Sequence, residues 1–223
     1  MRVPFPLRSR PGAAALILLG ALGACGRSGG RDPDVVLVID GLEVRRQDWD
    51  ALLPFAQARE PRRGVRSLRQ FLLTDVVLRQ ALAQRWHGEQ LARVRKEAQV
   101  LADLGKREGA PALLRYGAKE EGPLQAHEMA FPVAATALTL AEGQVADAIL
   151  LPQGAVVVGV LDHNQGSSSE LDSVRIAVRL FIAEPDPKLT ERLQTAIKGL
   201  RGKISWLDRD WRDSVPDFLL SNQ

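Results

Sequence analysis

Three observations predict an α+β fold for this chain of 223 residues. First, the β-branched run Val35–Ile39 is followed by Asp40-Gly41 and a short apolar alternation, a pattern typical of a β-hairpin because Asp-Gly favours the positive φ of its turn. Second, apolar residues recur at three-to-four spacing over residues 65–86, which predicts an amphipathic helix. Third, two apolar runs flank Pro152-Gln153-Gly154 and predict a second hairpin.

The remaining elements follow from breakers and caps. Asp48 is a candidate N-cap for a helix that Pro54 should end or kink, and Gly88 should separate the first long helix from a second one. We further expect a helix over 89–104, shorter helices over 111–116 and 133–138, and two C-terminal helices over 170–182 and 186–200. A short strand is expected within the residues KISWLDRDW.

The first 24 residues have the layout of a secretory signal. Arg2, Arg8 and Arg10 supply a positive start, and residues 13–24 form an apolar stretch too short to span a bilayer. The motif Leu-Gly-Ala-Cys that ends at Cys25 resembles the bacterial lipobox. This resemblance implies cleavage before Cys25 and acylation of that residue, so that several acyl chains anchor the protein. The alternative is a plain signal peptide, or an anchor, with an incidental cysteine.

The residues around the cysteine bear on location. Gly26 stands where an aspartate commonly marks inner-membrane retention in Gram-negative lipoproteins, so the resemblance implies the periplasmic face of the outer membrane. Residues 25–34 are expected to form a flexible leash because they are rich in Gly and Ser. Cys25 is the only cysteine, so the exported chain is expected to lack disulfides.

Charge gives no support for a nucleic-acid partner. The chain has 30 Lys and Arg against 27 Asp and Glu, and the three arginines of residues 1–24 account for the whole excess. No later apolar run reaches membrane-spanning length, so we expect the mature part to be soluble and tethered.

Motifs for metal, cofactor or covalent chemistry are missing from the sequence. His87, His127 and His163 lie far apart, and no His/Cys pair has the spacing of a zinc site. The segment that begins at Asp162 starts like a calcium loop, but Ser173 stands where the bidentate acid is required. There is no P-loop, dinucleotide fingerprint or nucleophile elbow. We therefore expect no metal and no cofactor.

Three segments resemble the parvulin-type foldase chaperones of the bacterial envelope, the SurA and PrsA group. The residues VVLVIDGLEVRRQDWDALL are similar to the opening strand, turn and helix of their chaperone domain. The residues FPVAATALTLAEGQVADAILLPQGAVVVGVLD are similar to the second half of a parvulin domain. The residues ELDSVRIAVRLFIAEPDPKLTERLQTAIKGLRGKI are similar to the C-terminal helices and strand that pack back on the N-terminal part.

The resemblance implies a mostly helical SurA N-like chaperone domain with a truncated parvulin-like α/β insertion. The corresponding boundaries are 1–24 for the lipoprotein signal peptide, 25–34 for the leash, 35–118 for the hairpin and helical chaperone-like part, 119–165 for the degenerate parvulin-like region, and 166–223 for the C-terminal helices and strand that pack on the N-terminal part.

The resemblance also implies where substrate would bind. Phe131 matches the phenylalanine of the parvulin pocket, and Met129 stands two residues before it, whereas the family's methionine usually lies at the position of His127. The alternative for Phe131 and Met129 is ordinary core packing. Val156 stands where active parvulins carry a histidine, and we expect no strand between the long helices and Phe131, so no catalytic residue is assigned.

Three functions remain open from the sequence. The first is a lipid-anchored chaperone-like protein that binds unfolded or extended envelope polypeptides without isomerase catalysis. The second is an active parvulin-type peptidyl-prolyl isomerase, and the third is a structural lipoprotein that docks one assembly partner. An exposed apolar groove between the helices and the hairpin would favour the first, and a fully packed interface the third.

Overall fold

The computed structural model describes residues 32–164, 172–183 and 185–220. The expected signal peptide, Cys25 and most of the expected leash lie outside the described residues. Helices and antiparallel sheets both contribute to the described part, which confirms the predicted α+β class. None of the helices described there combines the length and the apolarity that crossing a membrane requires.

The two ends of the described chain meet in a three-stranded antiparallel sheet. β1 (Val35–Ile39) pairs with β2 (Leu42–Arg45) through the predicted hairpin, and β7 (Ile204–Leu207) pairs with the other side of β1. Asp40 and Gly41 have φ values of 51° and 75°, the left-handed conformation that a two-residue hairpin turn requires. β1 is therefore the central strand, and its side chains form part of the core.

Short helices cover this sheet and build the first core, which we call the terminal core. They are α1 (Arg46–Asp50), α2 (Leu53–Arg59), α3 (Val65–Phe71), a π-helical segment (Leu72–Val77) and α7 (Leu189–Lys198). A 3₁₀ helix (Arg209–Ser214) places the ring of Trp211 4.8 Å from that of Trp49. Pro54 does not end a helix, because it lies in the first turn of α2, where its missing N–H leaves no bond unmade.

One long helix, α4 (Leu78–Glu108), joins the two halves of the fold. Its residues up to Leu91 pack in the terminal core, and those from Val94 onward pack against a second sheet. His87 has φ −146° and ψ 42°, which are not helical values. The break predicted at Gly88 is therefore present as a kink at His87, one residue earlier, with a helix on either side of it.

The second sheet is antiparallel and consists of β3 (Lys119–Gln125), β4 (Ile149–Leu151), β5 (Gly154–Asn164) and β6 (Ser173–Ile182). The strand order across the sheet is β3-β6-β5-β4. One face packs on α4 and α5 (Ala112–Arg115), and the other packs on α6 (Phe131–Ala137). Both faces of β5 are thus covered, as its uninterrupted apolar run predicts.

Two sequence predictions for the second sheet are wrong. The sequence predicts a helix over 170–182, whereas Ser173–Ile182 form β6. The β-branched residues Val174, Ile176 and Val178 alternate at period two, which favours a strand because each then points to the same face. The sequence also predicts no strand before Phe131, whereas β3 pairs there with β6. β3 is mostly exposed and lacks apolar alternation, so its pairing with β6 defines it.

Candidate functional site

An apolar cavity of about 580 Å³ lies between the helices of the terminal core and the second sheet. We call it the groove, and its volume is in the range of about 300–1,000 Å³ that is usual for ligand pockets. One side consists of residues from α1 to α4 and from α7, and the other consists of segments 129–132 and 150–153. Most of the lining is apolar: Leu52, Phe71, Val76, Val77, Met129, Ala130, Phe131, Pro132, Leu150, Leu151, Pro152, Leu189 and Leu193.

Phe131 and Met129, the two residues predicted to bind substrate, both line this groove. Each is 8 % exposed, so each is also a core residue. The Phe131 ring meets the Phe71 ring edge-on at 5.9 Å between centroids, and the Arg59 guanidinium lies 6.0 Å from the Phe131 centroid. These two side chains therefore belong to the core and also form part of the groove wall. Whether they contact a substrate stays a prediction.

The start of α6 positions these residues. A 3₁₀ turn (Ala126–Glu128) precedes it, and the backbone amide of Gln125 donates to Glu128 Oε2 at 2.7 Å in a capping box. Pro132 lies in the first turn of α6, where its fixed φ suits the helix start. Met129 and Ala130 consequently form an extended connection between the two turns, and both face the groove.

A second cavity of about 520 Å³, the sheet cavity, lies on the α6 face of the second sheet. The two cavities share the lining residues Met129, Ala130, Leu151 and Gln153. Beyond α6 the sheet cavity reaches Leu180 on β6, which is 44 % exposed. The two cavities are therefore neighbours, but the lining of the sheet cavity is more polar and includes Lys119, Glu121 and Arg179.

Val156, at the position that the resemblance assigns to the parvulin histidine, is buried and lines the sheet cavity. No histidine among the described residues lines either cavity, and His127 is exposed on the 3₁₀ turn. β3, the strand that the sequence analysis missed, has the sequence KEEGPLQ and brings no histidine either.

The groove contains a buried amide that lacks a hydrogen-bond partner. Gln80 of α4 is 6 % exposed, and its Nε2 donates to no atom of the described residues. Its neighbour Arg79 donates from Nη2 to Asp75 Oδ1 at 2.9 Å, while the buried Nε of Arg79 also lacks a partner in that part of the chain. Both unpaired atoms are N–H donors. An unpaired buried donor costs about 1–3 kcal/mol.

Asp48 is the buried carboxyl group of the groove. The sequence suggests it as an N-cap, but α1 begins at Arg46, so Asp48 lies inside the first turn. Burial raises the pKa of Asp48 above its usual 3.8, while the charge of Arg45 and a hydrogen bond from its backbone oppose the rise. Asp48 is 5 % exposed, so its charged form has lost most of its contact with water, which is costly.

The titratable side chains of the groove lining are Asp48, Asp75, Asp186, Arg59 and Arg79. The described lining contains no His, Cys or Ser that could pair as a nucleophile and base. Nor does the described part of the chain contain a group of three or more His, Cys, Asp or Glu side chains arranged to hold a metal ion. An apolar wall with a few buried polar groups is instead the usual composition of a ligand pocket.

Sequence reasoning missed Gln80 and the contribution of α7. One signal was available for Gln80, because Val76, Gln80 and Ala83 follow the helical spacing i, i+4, i+7 and a polar residue thus interrupts an apolar face. Leu189 and Leu193 belong to the predicted C-terminal helix, but only the tertiary fold brings them to the groove.

Comparison of the chain with models of protein families, with curated proteins and with solved structures found no significant match.

Proposed function

We propose that this protein is a lipid-anchored envelope chaperone that holds unfolded or extended polypeptides in the groove and does not catalyse prolyl isomerisation. The observation that carries the proposal is the groove itself, an open and mainly apolar cavity of about 580 Å³ at the boundary of two cores. A polypeptide bound in the groove would cover this apolar surface, and its burial would favour binding.

Two features of the groove suit a polypeptide. Unfolded chains expose apolar side chains, and the walls at Phe131, Met129 and Leu189 offer apolar contacts for them. Unfolded chains also carry unpaired backbone groups. β4 is an edge strand of the second sheet, and Leu150 and Leu151 of β4 line the groove. An extended segment laid along such an edge can bond to it through its main chain.

The absence of isomerase activity is part of the proposal. An isomerase must lower a barrier of about 18–20 kcal/mol by binding the twisted imide more tightly than either planar form. The parvulin family uses a histidine-containing polar network for this, and Val156 occupies the matching position. The buried aliphatic side chain of Val156 can neither donate nor accept a hydrogen bond to the imide.

The anchor completes the proposal. Acylation at Cys25, which lies outside the described residues, would hold the groove close to the membrane where envelope proteins emerge unfolded. Gly26 supports the periplasmic face of the outer membrane as the location. The proposed partners are therefore unfolded envelope proteins and, through the acyl chains, the membrane.

One paired experiment tests the function. The aggregation of an unfolded outer-membrane protein and the cis-to-trans conversion of a short Xaa-Pro peptide are measured with the same preparation of the chain from Gly26 onward. The proposal predicts protection at near-stoichiometric ratios and no acceleration of the conversion. Acceleration that falls in Phe131→Ala would make the protein an isomerase. If neither effect is observed, the alternative that remains is a structural lipoprotein with one docking partner.

A further inference from the structure

The main chain of Leu150 on β4 points away from the second sheet. In an antiparallel sheet, successive residues of a strand direct their N–H and C=O groups alternately to one neighbouring strand and to the other. The carbonyl of Val158 on β5 accepts from the amide of Ala146 at 2.9 Å, so it points to the side of β5 on which β4 lies. Ala155, three residues before Val158, therefore points to β6. Leu150 is opposite Ala155, so the two form a pair without hydrogen bonds, and the N–H and C=O of Leu150 point outward.

The neighbouring residues limit this open edge to one residue. Ala148 points in the same direction as Leu150, and its amide donates to Gln99 Oε1 of α4 at 3.1 Å. Pro152, two residues after Leu150, has no N–H to offer. Among the residues that the structure describes, neither the amide nor the carbonyl of Leu150 has a partner outside the sheet. Leu150 therefore presents one main-chain donor and one main-chain acceptor.

The open edge faces the groove. Leu150 is partly exposed, and both it and Leu151 line the groove. Their side chains point to opposite faces of the sheet, because Leu150 packs with the core on the α4 side and Leu151 with the core on the α6 side. A cavity that touches both side chains lies beside the strand and not above or below the sheet. Since β5 occupies one side of β4, the groove lies on the other side, which is the direction of the Leu150 main chain.

The other outer strand of this sheet, β3, has a different composition. Lys119, Glu120 and Glu121 place charges along it, and Pro123 removes an amide. Charges and proline on an edge strand are common devices that prevent further strand pairing. β4 carries neither a charge nor a proline, since its sequence is Ile-Leu-Leu. The sheet therefore protects one of its edges, whereas the edge in the groove stays open.

We propose that Leu150 binds an extended client segment as an added β-strand, donating from its N–H to a client carbonyl and accepting at its C=O from a client amide. This inference rests on the proposed function and names the substrate class: extended apolar segments that have a residue other than proline at the point of contact. The main chain of such a segment carries the matching acceptor and donor, and the groove walls at Phe131 and Leu189 offer apolar contacts to its side chains. Pairing through the main chain depends little on the sequence of the client.

Substitution of Leu150 by proline tests the inference on the full chain, with Leu150→Ala as the reference. The probe is a fluorescein-labelled ten-residue peptide of Leu, Val and Thr, and the readout is its Kd by anisotropy. Alanine removes the side chain and keeps both main-chain groups, whereas proline also removes the N–H. Proline is tolerated on edge strands where the N–H faces outward. We expect Leu150→Pro to bind the peptide about fivefold more weakly than Leu150→Ala does, the size of one ordinary hydrogen bond.

Glu120 on β3 provides the matched control. It is opposite Ala177, which by the same alternation bonds to Gly159 of β5, so the main chain of Glu120 also points outward. Glu120 lines neither cavity, and Glu120→Pro should therefore bind the peptide with the same Kd as Glu120→Ala.

Hydrogen exchange of the wild-type chain, followed by NMR, is a second measurement that needs no substitution. Saturating peptide should slow the exchange of the Leu150 amide about tenfold or more, because that amide becomes hydrogen-bonded, and should leave the exchange of the Glu120 amide unchanged.

The outcomes separate the inference from the function beneath it. Equal Kd values for Leu150→Pro and Leu150→Ala, or unchanged exchange of the Leu150 amide, overturn the added strand and leave the chaperone proposal standing. A loss of binding in Glu120→Pro equal to that in Leu150→Pro assigns the effect to proline in the sheet and also overturns the added strand. Absence of any peptide binding by the wild-type chain overturns the chaperone proposal itself.

Discussion

Replacing Phe131 with alanine separates the two roles that its position gives it, as a core residue and as a wall of the groove. The side chain is 8 % exposed, packs edge-on against Phe71 and lies beneath the Arg59 guanidinium. Truncation removes all of these contacts at once. If the groove binds polypeptides, the substitution should weaken binding as well as lower stability.

The loss of stability can be worked from this geometry. Substituting a buried Phe by Ala typically costs about 3–5 kcal/mol, part of which comes from the new cavity. Because Phe131 already borders the groove of about 580 Å³, its removal enlarges an existing opening, and we expect a loss near 3 kcal/mol. The edge-on contact with Phe71 supplies about 0.5–1.5 kcal/mol of that loss. A domain with the usual stability of about 5–15 kcal/mol stays folded.

Leu113→Ala is the control for stability. Leu113 is fully buried against α4 and the second sheet, and it lines neither cavity. The expected cost is about 2–5 kcal/mol, similar to that of Phe131→Ala. Urea unfolding followed by tryptophan fluorescence gives both stabilities. Anisotropy with a fluorescein-labelled ten-residue peptide of Leu, Val and Thr gives both affinities under conditions where each variant is folded.

The account predicts a tenfold or greater loss of affinity in Phe131→Ala and an affinity close to that of the wild type in Leu113→Ala. Tenfold corresponds to about 1.4 kcal/mol, the size of a partly lost apolar contact. Equal losses in the two variants would show that binding follows stability alone. Unchanged affinity in Phe131→Ala would make Phe131 a core residue only and would refute the assignment of the groove.

Three further predictions concern charge and the anchor. Burial raises the pKa of Asp48, so the folded protein holds this proton more tightly than the unfolded chain does, and stability falls as pH rises from about 3.8 through the folded-state pKa. Asp48→Asn should therefore raise the urea midpoint at pH 7, and a gain that persists below pH 3.8 would contradict this cause. Hydrogen bonds from Lys106 and Gln99 lower the pKa of Asp147, whose contribution is present above pH 3.8 and is lost as pH falls through the folded-state pKa. Asp147→Asn should destabilise by about 0.5 kcal/mol at pH 7, because the pair is half-exposed, and the difference from wild type should vanish in acid. Cys25→Ala should abolish incorporation of labelled palmitate and move the protein from the membrane to the soluble fraction of cells; retention of the label would exclude Cys25 as the acylated residue.

Local signals predict the local parts of this fold. The turn at Asp40 and Gly41 needs only those residues, and both adopt the positive φ that the pair favours. The Pro152-Gln153-Gly154 turn and α7 follow in the same way from short-range chemistry. The β-branched alternation of β6 was also present in the sequence, but a helical interpretation of the same apolar residues competed with it.

The parts of the fold that the sequence does not predict depend on contacts between residues far apart in the chain. β3 is a polar and exposed segment that becomes a strand because β6 offers it an edge. The groove is likewise assembled from Asp48 at one end of the described chain, the start of α6 in the middle, and Leu193 near the other end. Phe131 and Met129 were predicted to lie in the site through a family resemblance. Gln80 can be identified as a buried residue of the groove without a hydrogen-bond partner only from the folded structure.

The most direct test of the central claim maps where an unfolded polypeptide touches the protein. A photo-crosslinking amino acid, p-benzoylphenylalanine, is placed at Leu150 in the groove or at Val100, an apolar residue that is 63 % exposed on α4 and lines neither cavity. Irradiation with an unfolded outer-membrane protein should give crosslinks from Leu150 and few from Val100. Equal crosslinking from both positions, or none from Leu150, would contradict the claim that the groove holds the client.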